Sequence, residues 1–563
     1  MKLENRILIG ILIFATVLRF WNLPGPDIVA DDATYSYRSV GYVDFMAATN
    51  LQSTPPSWFE REHWWQKLSF HDAPPLVFIA QNISFKIFGV NQFGARVPFA
   101  LMGLLAVYSL YLLGRQVKSE RLGLIAAGLI AISNYPVWLS RIGFLDGFLI
   151  PIIALSIYFF LRAKDAHRNY VWWAVMCGLG MLTKYTFLFI LPLFFFWLLL
   201  YRRESLRTRQ FWLGICLFLV LISPIVTYNV KMYQTRGHFD AAISTMLGHK
   251  PADFAGLTRE KEFEPSRVGQ ELITGKAFSY PLLILALIGL TSSPPGWLVV
   301  GLLLALLELI TIGAVGWIGA ILVPFIIILT SLGAEKVWLK FNLTKYKKLI
   351  LAGAGLLILF ELSVTIQNQL APRKATSESL VGKILETDYS ASWQGYSELE
   401  TWVANFYKTN NAISNTVTYT DVKQLADKQK ESFLREISAN PYSKIGQEHL
   451  LVFDERMDWF ASFWIIERRR FYKRTPIHMI SEFIDKTKDG SFSFYKDLGF
   501  VDATFIIARD QTDNNKQIKE RENILIFTEL LKKTVAPIDQ IKNAKGNTVF
   551  DIYYFPFDPA KNN

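Results

Sequence analysis

Cysteine is nearly missing from this sequence. Its 563 residues include two, Cys177 and Cys216, and both sit inside apolar blocks. That excludes a disulfide framework, and small thiols of this kind usually pack as core residues. A cleavage signal is missing too. Lys2 and Arg6 precede a short apolar stretch, Ile7 to Leu18, in the manner of a signal peptide, but no small-x-small site follows directly. The stretch is read as an uncleaved first membrane helix. No internal repeat and no low-complexity tract is found. Acids are scarce inside the apolar blocks, where Glu308 and Glu361 stand out.

What is present is apolar surface beyond the capacity of a soluble core. Half the chain, 51%, is hydrophobic and 15% is aromatic, with 43 Phe, 23 Tyr and 16 Trp. Surface-to-volume scaling caps what a single core can bury. The apolar residues come in long blocks, such as Phe189 to Tyr201 and Trp297 to Ile310. A block of roughly 20 residues crosses a ~30 Å hydrocarbon core. The net charge of +11 does not point to nucleic acid, because the basic residues cluster between apolar blocks. That is where the positive-inside rule places them.

Loop charge then sets the topology. Arg115 to Arg121 carries Arg115, Lys118 and Arg121, and Arg162 to Arg168 carries Arg162, Lys164 and Arg168. Arg202 to Arg209 carries four arginines, and Lys336 to Lys348 carries five lysines. All four are expected on the cytoplasmic side. Counting Pro74 to Val90 as a crossing would reverse every later loop, so it is read as an interfacial helix with Gln81, Asn82 and Lys86 on its wet side. The spans expected are 6–22, 95–114, 121–140, 146–162, 169–184, 186–202, 210–230, 277–293, 297–313, 316–333 and 347–367. The expected fold is thus an α-helical polytopic membrane protein with eleven transmembrane helices, its N-terminus cytoplasmic and its C-terminus outside. Two outside loops are long, 23–94 and 231–276. The first holds Trp58, Trp64 and Trp65, which suit a membrane–water interface. Beyond Gln367 the composition turns polar, with strand-like runs at Thr416–Tyr419, Leu450–Phe453, Phe505–Ala508 and Thr548–Phe555. The division is therefore 1–368 for the membrane domain and 369–563 for a soluble extracytoplasmic α/β domain.

Several residues at the outer face carry chemistry. Asp31 and Asp32 follow the first span in Ala30-Asp31-Asp32-Ala33-Thr34-Tyr35. One such Asp would serve as an N-cap, but capping needs only one of the pair. A carboxylate over a membrane-facing cavity can act as a general base, and two can help to hold a divalent cation. No further metal ligand is evident by spacing, and no other cofactor is indicated. The same loop ends in Phe70-His71-Asp72-Ala73-Pro74-Pro75-Leu76. Arg141 and Asp146 flank a short outside turn, where an exposed ion pair would stabilise little. Lys184 ends the fifth span, where it can snorkel to water or bind a lipid phosphate. Carboxylates and cations at one membrane face suit a substrate that is part lipid and part phosphate-sugar. Glycosyl transfer needs a base for the incoming hydroxyl, while a phosphate leaving group calls for positive charge.

The pattern Asp31-Asp32-x-x-Tyr35, Asp72-x-Pro74-Pro75-Leu76, Phe88-Gly89 with Arg96, Gly123-Leu124-x-Ala126-Ala127, Arg141 with Asp146, and Leu182-Thr183-Lys184 resembles the GT-C membrane glycosyltransferases. The branch it resembles is that of the dolichyl-phosphate-mannose protein mannosyltransferases and the bacterial aminoarabinose transferases. The likeness covers residues 6 to 230. It implies inverting, mannosyltransferase-like transfer of a hexose or pentose from a polyprenyl-phosphate sugar to a hydroxyl of a protein, lipid or glycan. A first-loop Asp would be the base. Asp31, Asp32 and Asp146 become candidate catalytic residues, and Tyr35, His71, Asp72, Arg141 and Lys184 candidate substrate ligands. Asp31 and Asp32 would be the ligands of any metal. The family often has Glu in place of Asp32 and His or Lys in place of Ala73. Without a cation at Ala73, the phosphate falls to His71, Arg141, Lys184 or a basic residue of 231–276.

Two other classes compete. A transporter would place its site near the midplane among broken or repeated helices, and buried acids such as Glu308 and Glu361 are functional hints by default, yet no repeat relates them. A membrane anchor for a binding or sensory domain leaves the charges at the outer face unexplained.

Overall fold

A computed structural model describes residues 2–44, 63–254, 265–273, 277–313, 315–341, 346–370, 393–409, 449–473, 477–488, 490–509, 522–544 and 546–558. The strand-like run Thr416–Tyr419, Trp58 and parts of the loop 231–276 lie outside these residues. The chain forms two compact units: Met1–Leu23 with Tyr42–Ala371, and Pro24–Gly41 with Pro372–Asn563. The loop 23–94, read from the sequence as part of the membrane domain, is therefore divided. Its segment Pro24–Gly41 packs with the C-terminal residues.

The first unit is helical. Among the described residues, Gln92–Val117, Arg209–Arg236, Ile318–Lys340 and Lys347–Leu370 are long and apolar enough to cross a membrane. Other expected spans are shorter or interrupted. The stretch 121–140 breaks at Ser133 into Glu120–Ile132 and Asn134–Leu139. A tight 3-10 turn, Tyr185–Ile190, precedes Leu191–Tyr201. Leu76–Phe88 is a helix of 13 residues. At 1.5 Å per residue it rises about 20 Å, short of a bilayer core.

Local sequence explains many of the boundaries. The Asn91 side chain accepts from the Gly94 N–H at the start of Gln92–Val117, and that of Ser119 accepts from the Leu122 N–H at the start of Glu120–Ile132. Gly237 and Gly313, at φ 77° and 78°, end Arg209–Arg236 and Gly296–Ile312 in the left-handed conformation that L side chains resist. Helices Tyr280–Leu290 and Val323–Phe341 approach so closely that a Cβ on Gly289 or Gly333 would collide with the facing backbone at Leu329 or Leu285. Small residues permit this kind of contact between apolar helices.

The basic turns meet in pairs at helix ends. Lys118 Nζ lies 2.6 Å from the buried Glu335 carboxylate, and the Arg121 guanidinium stands over the Trp338 ring. Lys336 donates to the carbonyl of Thr291 at 2.6 Å. Arg202 donates to the carbonyls of Phe160 and Leu161. Residues 118–121 thus meet the end of helix Val323–Phe341, and Arg202 meets the end of helix Asp146–Arg162.

The second unit holds a five-stranded sheet in the order β2-β1-β3-β5-β4. The strands are β1 His449–Phe453, β2 Ile477–Met479, β3 Asp502–Ala508, β4 Asp539–Lys542 and β5 Thr548–Pro556. β1 runs parallel to β2 and β3, while β5 runs antiparallel to β3 and β4. The strand-like runs at Leu450, Phe505 and Thr548 fall on β1, β3 and β5. β3 is buried along its whole length, as a central strand should be. Phe483, Tyr495, Phe505, Ile524 and Tyr553 form its core with helices Ile480–Lys486 and Glu522–Thr534.

Candidate functional site

The candidate residues are divided between the units. His71, Asp72, Arg141, Asp146 and Lys184 belong to the first, and Asp31, Asp32 and Tyr35 to the second.

In the first unit the key pair is Asp146 with Lys184. Asp146 opens helix Asp146–Arg162, where the helix dipole favours an anion. Lys184 follows the last residue of helix Asn169–Thr183, where a cation is favoured. Their side chains meet at 2.6 Å, with Asp146 1% exposed and Lys184 19% exposed. The second Asp146 oxygen, Oδ1, is buried with no hydrogen-bond partner among the described residues. An Arg141–Asp146 ion pair across the turn, the plainer of the two sequence readings, is not formed; Asp146 pairs with Lys184.

Arg141, an expected phosphate ligand, is engaged with the backbone. Its guanidinium donates to the carbonyls of Leu18 at 2.9 Å, Arg19 at 3.0 Å and Asn22 at 3.2 Å. The first two end the first helix, Leu3–Phe20, where backbone acceptors lack intrahelical donors, and Asn22 lies just beyond it. Arg96, equally buried, donates to the carbonyl of Leu23 at 3.2 Å. Arg141 is 1% exposed and acts as a cap.

His71 is also committed. Its Nδ1 lies 2.7 Å from Asp44 Oδ1, and its backbone N–H donates to Asp44 Oδ2 at 2.7 Å. The Phe254 ring stacks on it, and the Asp72 carboxylate, a third exposed, is 4.0 Å from Nδ1. The His71 carbonyl accepts from the Ala241 N–H at 2.6 Å, which ties the first loop to the second.

The second loop supplies residues that the sequence reading passed over. Asp240 caps helix Ala241–Met246, and its carboxylate accepts from Tyr185 Oη at 2.6 Å and Asn229 Nδ2 at 2.9 Å. Burial pushes the Asp240 carboxyl up. Asp253 feels burial as well, but the Arg236 guanidinium at 2.7 Å and His238 at 2.8 Å outweigh it and hold the carboxyl low. Asp240 had a local signal, a cap residue before Ala241-Ala242-Ile243. Asp44 had none, because its partner His71 is 27 residues away.

In the second unit, Asp31 and Asp32 occupy the first turn of helix Ala30–Gly41. Tyr35 Oη donates to Asp31 Oδ2 at 3.4 Å, and Ser36 Oγ to Asp32 Oδ1 at 3.3 Å. Asp32 is fully buried, whereas Asp31 keeps some exposure. Among the described residues no group of three His, Cys, Asp or Glu side chains could hold a metal. Two carboxylates alone fall short of the oxygen shell that calcium or magnesium needs.

The comparisons with known proteins agree with this architecture. Residues 72–228 match the family model of the dolichyl-phosphate-mannose-protein mannosyltransferases. ArnT from Cupriavidus metallidurans, in its crystal structure bound to undecaprenyl phosphate, superposes with a TM-score of 0.53 at 14% identity, over 98% of this chain and 97% of that one. The chain has the fold of the GT-C membrane glycosyltransferases. The apo form of the same ArnT gives a TM-score of 0.52 at 12% identity, over the same shares of the two chains. An uncharacterized protein of Aquifex aeolicus (strain VF5) is 27% identical over 166 residues, 29% of this chain. The match spans a third, 33%, of that curated relative's own length. The GT-C resemblance read from the motifs is borne out. Asp72, Arg141, Asp146 and Lys184 all fall in the stretch that matches the family model.

Proposed function

We propose that this chain is an inverting glycosyltransferase that moves a sugar from a polyprenyl-phosphate donor to a hydroxyl acceptor on the extracytoplasmic face of a membrane. The observation that carries the reading is the pair of Lys184 with the buried Asp146, inside the stretch that matches the mannosyltransferase family model. A partly exposed lysine held at a helix end by one carboxylate oxygen is a fixed cation suited to a phosphate. The N-terminus and the basic turns are cytoplasmic in this reading, and the C-terminal residues are extracytoplasmic.

The chemistry assigns each group one task. Asp31, the more accessible of the two acids, takes the proton from the acceptor hydroxyl. The acceptor oxygen forms its bond to the anomeric carbon as the bond from that carbon to the phosphate oxygen breaks. The bonding electrons leave with the phosphate, and Lys184 offsets the charge that grows there. Asp146 orients Lys184. Asp32, bonded to Ser36, holds the start of the helix that carries Asp31. Arg141 fixes the end of the first membrane helix. His71 and Asp72 line the outer loop, with Asp44 setting the His71 ring.

Incubation of the purified full chain with labelled undecaprenyl-phosphate mannose and a mixed hydroxyl acceptor tests the proposal. Transfer of label to acceptor with inversion at the anomeric carbon is the expected result. Vectorial movement of the donor without bond cleavage would favour a transporter, and binding with neither outcome would favour an anchor.

A further inference from the structure

The C-terminal residues are an obvious candidate for acceptor choice alone, with no part in the chemical step. The contacts within the second unit argue otherwise. Helix Ala30–Gly41, which carries Asp31, is built into that unit. Tyr472 Oη donates to the backbone carbonyl of Tyr37 at 2.8 Å. The Tyr37 ring packs between Phe463, at 5.3 Å, and Tyr472, at 5.5 Å. Gly41 ends the helix against Tyr472 so tightly that a Cβ there would come 2.5 Å from the ring. Ahead of the helix, the Asp27 carboxylate accepts from the backbone N–H groups of Gln394 and Ser397, the latter at 2.7 Å.

Two further features point to a helix held in place against local preference. Ala30, directly before Asp31, sits at φ 52°, in the left-handed region where a side chain is disfavoured. Such a conformation persists only where the surroundings over-determine it. The surface that receives Tyr37 is also unusual. Phe463–Glu467 is a π-helical turn, a form that is rare and frequent at functional sites. Its widened turn lies beside the aromatic contact with Tyr37.

We propose that Tyr472 and the π-turn Phe463–Glu467 are positioning elements for Asp31, so that the C-terminal unit takes part in the chemical step by holding the helix that bears the base. This rests on the reading of Asp31 as the base. Tyr472 is a positioning residue, since it acts through the helix and touches no reacting atom. Removing the C-terminal residues would strip that helix of its packing and abolish transfer while donor binding remains.

The test uses the full chain, undecaprenyl-phosphate mannose for turnover and undecaprenyl phosphate for binding. Tyr472→Ala should lower kcat about a hundredfold, the scale of a small misplacement of a reacting group, with undecaprenyl phosphate affinity changed less than about twofold. Tyr472→Phe keeps the ring and loses one hydrogen bond, so it should restore most of the rate. In an Asp31→Asn background, Tyr472→Ala should cost nothing further. An Asp31→Asn chain with normal turnover would defeat the base assignment and leave nothing for Tyr472 to position. If Asp31→Asn is slow but Tyr472→Ala is not, the positioning role alone is refuted. A full further loss in the Asp31→Asn background would also refute it, because Tyr472 would then act by another route. Should Tyr472→Ala fail to fold, Gly41→Ala places a methyl against the same ring and should give the same split between kcat and binding.

Discussion

Replacing Lys184 by Met perturbs two things at once. The substitution keeps the apolar stem and removes the charge proposed to face the donor phosphate. It also leaves Asp146 buried without its side-chain partner at 2.6 Å, while its other oxygen has none among the described residues. Breaking a buried pair on one side costs about 3–5 kcal/mol, because the remaining charge is uncompensated. Loss of a charged hydrogen bond to the phosphate costs about 1.5–3 kcal/mol of affinity, which is roughly tenfold to 150-fold in Kd. A single substitution confounds the two effects, and a second one separates them. Lys184→Met with Asp146→Asn leaves no buried charge unpaired, so most of the stability should return. The affinity should not. Thermal unfolding in micelles, with and without undecaprenyl phosphate, reads both quantities on the same samples. If the double variant regains donor affinity together with stability, Lys184 serves only to neutralise Asp146, and the phosphate is held elsewhere.

Asp31→Asn should slow transfer by ~10²–10⁴, the usual contribution of general acid–base catalysis, with little change in undecaprenyl phosphate binding; near-normal turnover alongside an inactive Asp146→Asn would move the base to Asp146. Arg141→Met should lower stability through the first helix, whose end carbonyls lose two bonds and the turn after it a third, and leave donor affinity close to normal in protein that stays folded; a selective loss of affinity would return Arg141 to the phosphate. A cysteine at Lys118 should react with impermeant reagent only from the cytoplasmic side, and one at Lys336 should behave alike, since Glu335 joins the two turns; labelling from outside alone would overturn the orientation. Burial pushes the Asp27 carboxyl up to about 7, against the pull of the N–H groups of Ser397 and Gln394. The folded state therefore prefers the protonated acid. Its stabilising share is full below the unfolded value near 4 and is lost as pH rises through 7, by roughly 4 kcal/mol in all. The denaturant midpoint of the second unit should thus fall between pH 4 and pH 7 and level off above, and Asp27→Asn should flatten that fall; an unchanged pH response in Asp27→Asn would refute the assignment.

The membrane class, the helix ends and the lysine at one of them were legible in the sequence, because each rests on local physics. Apolar blocks must leave water whatever their neighbours, caps such as Ser119 act within a few residues, and Lys184 is marked by the end of its own apolar run. The runs at Leu450, Phe505 and Thr548 read as strands for the same reason. Packing decided the rest. Arg141 stands five residues before Asp146, yet its guanidinium reaches carbonyls more than a hundred residues earlier in the chain. His71 was legible as a polar outlier, but Asp44, which fixes its ring, carried no pattern of its own. The deepest difference lies at Pro24–Gly41. By sequence this segment belongs with the first membrane helix, which it follows directly. Hydrogen bonds from the Ser397 N–H to Asp27 and from Tyr472 Oη to the Tyr37 carbonyl span 370 and 435 residues, and they place it in the C-terminal unit. Periodicity and propensity describe how a segment can bury its own face. They do not specify which distant surface will receive it, and that surface determines what the helix bearing Asp31 is held by.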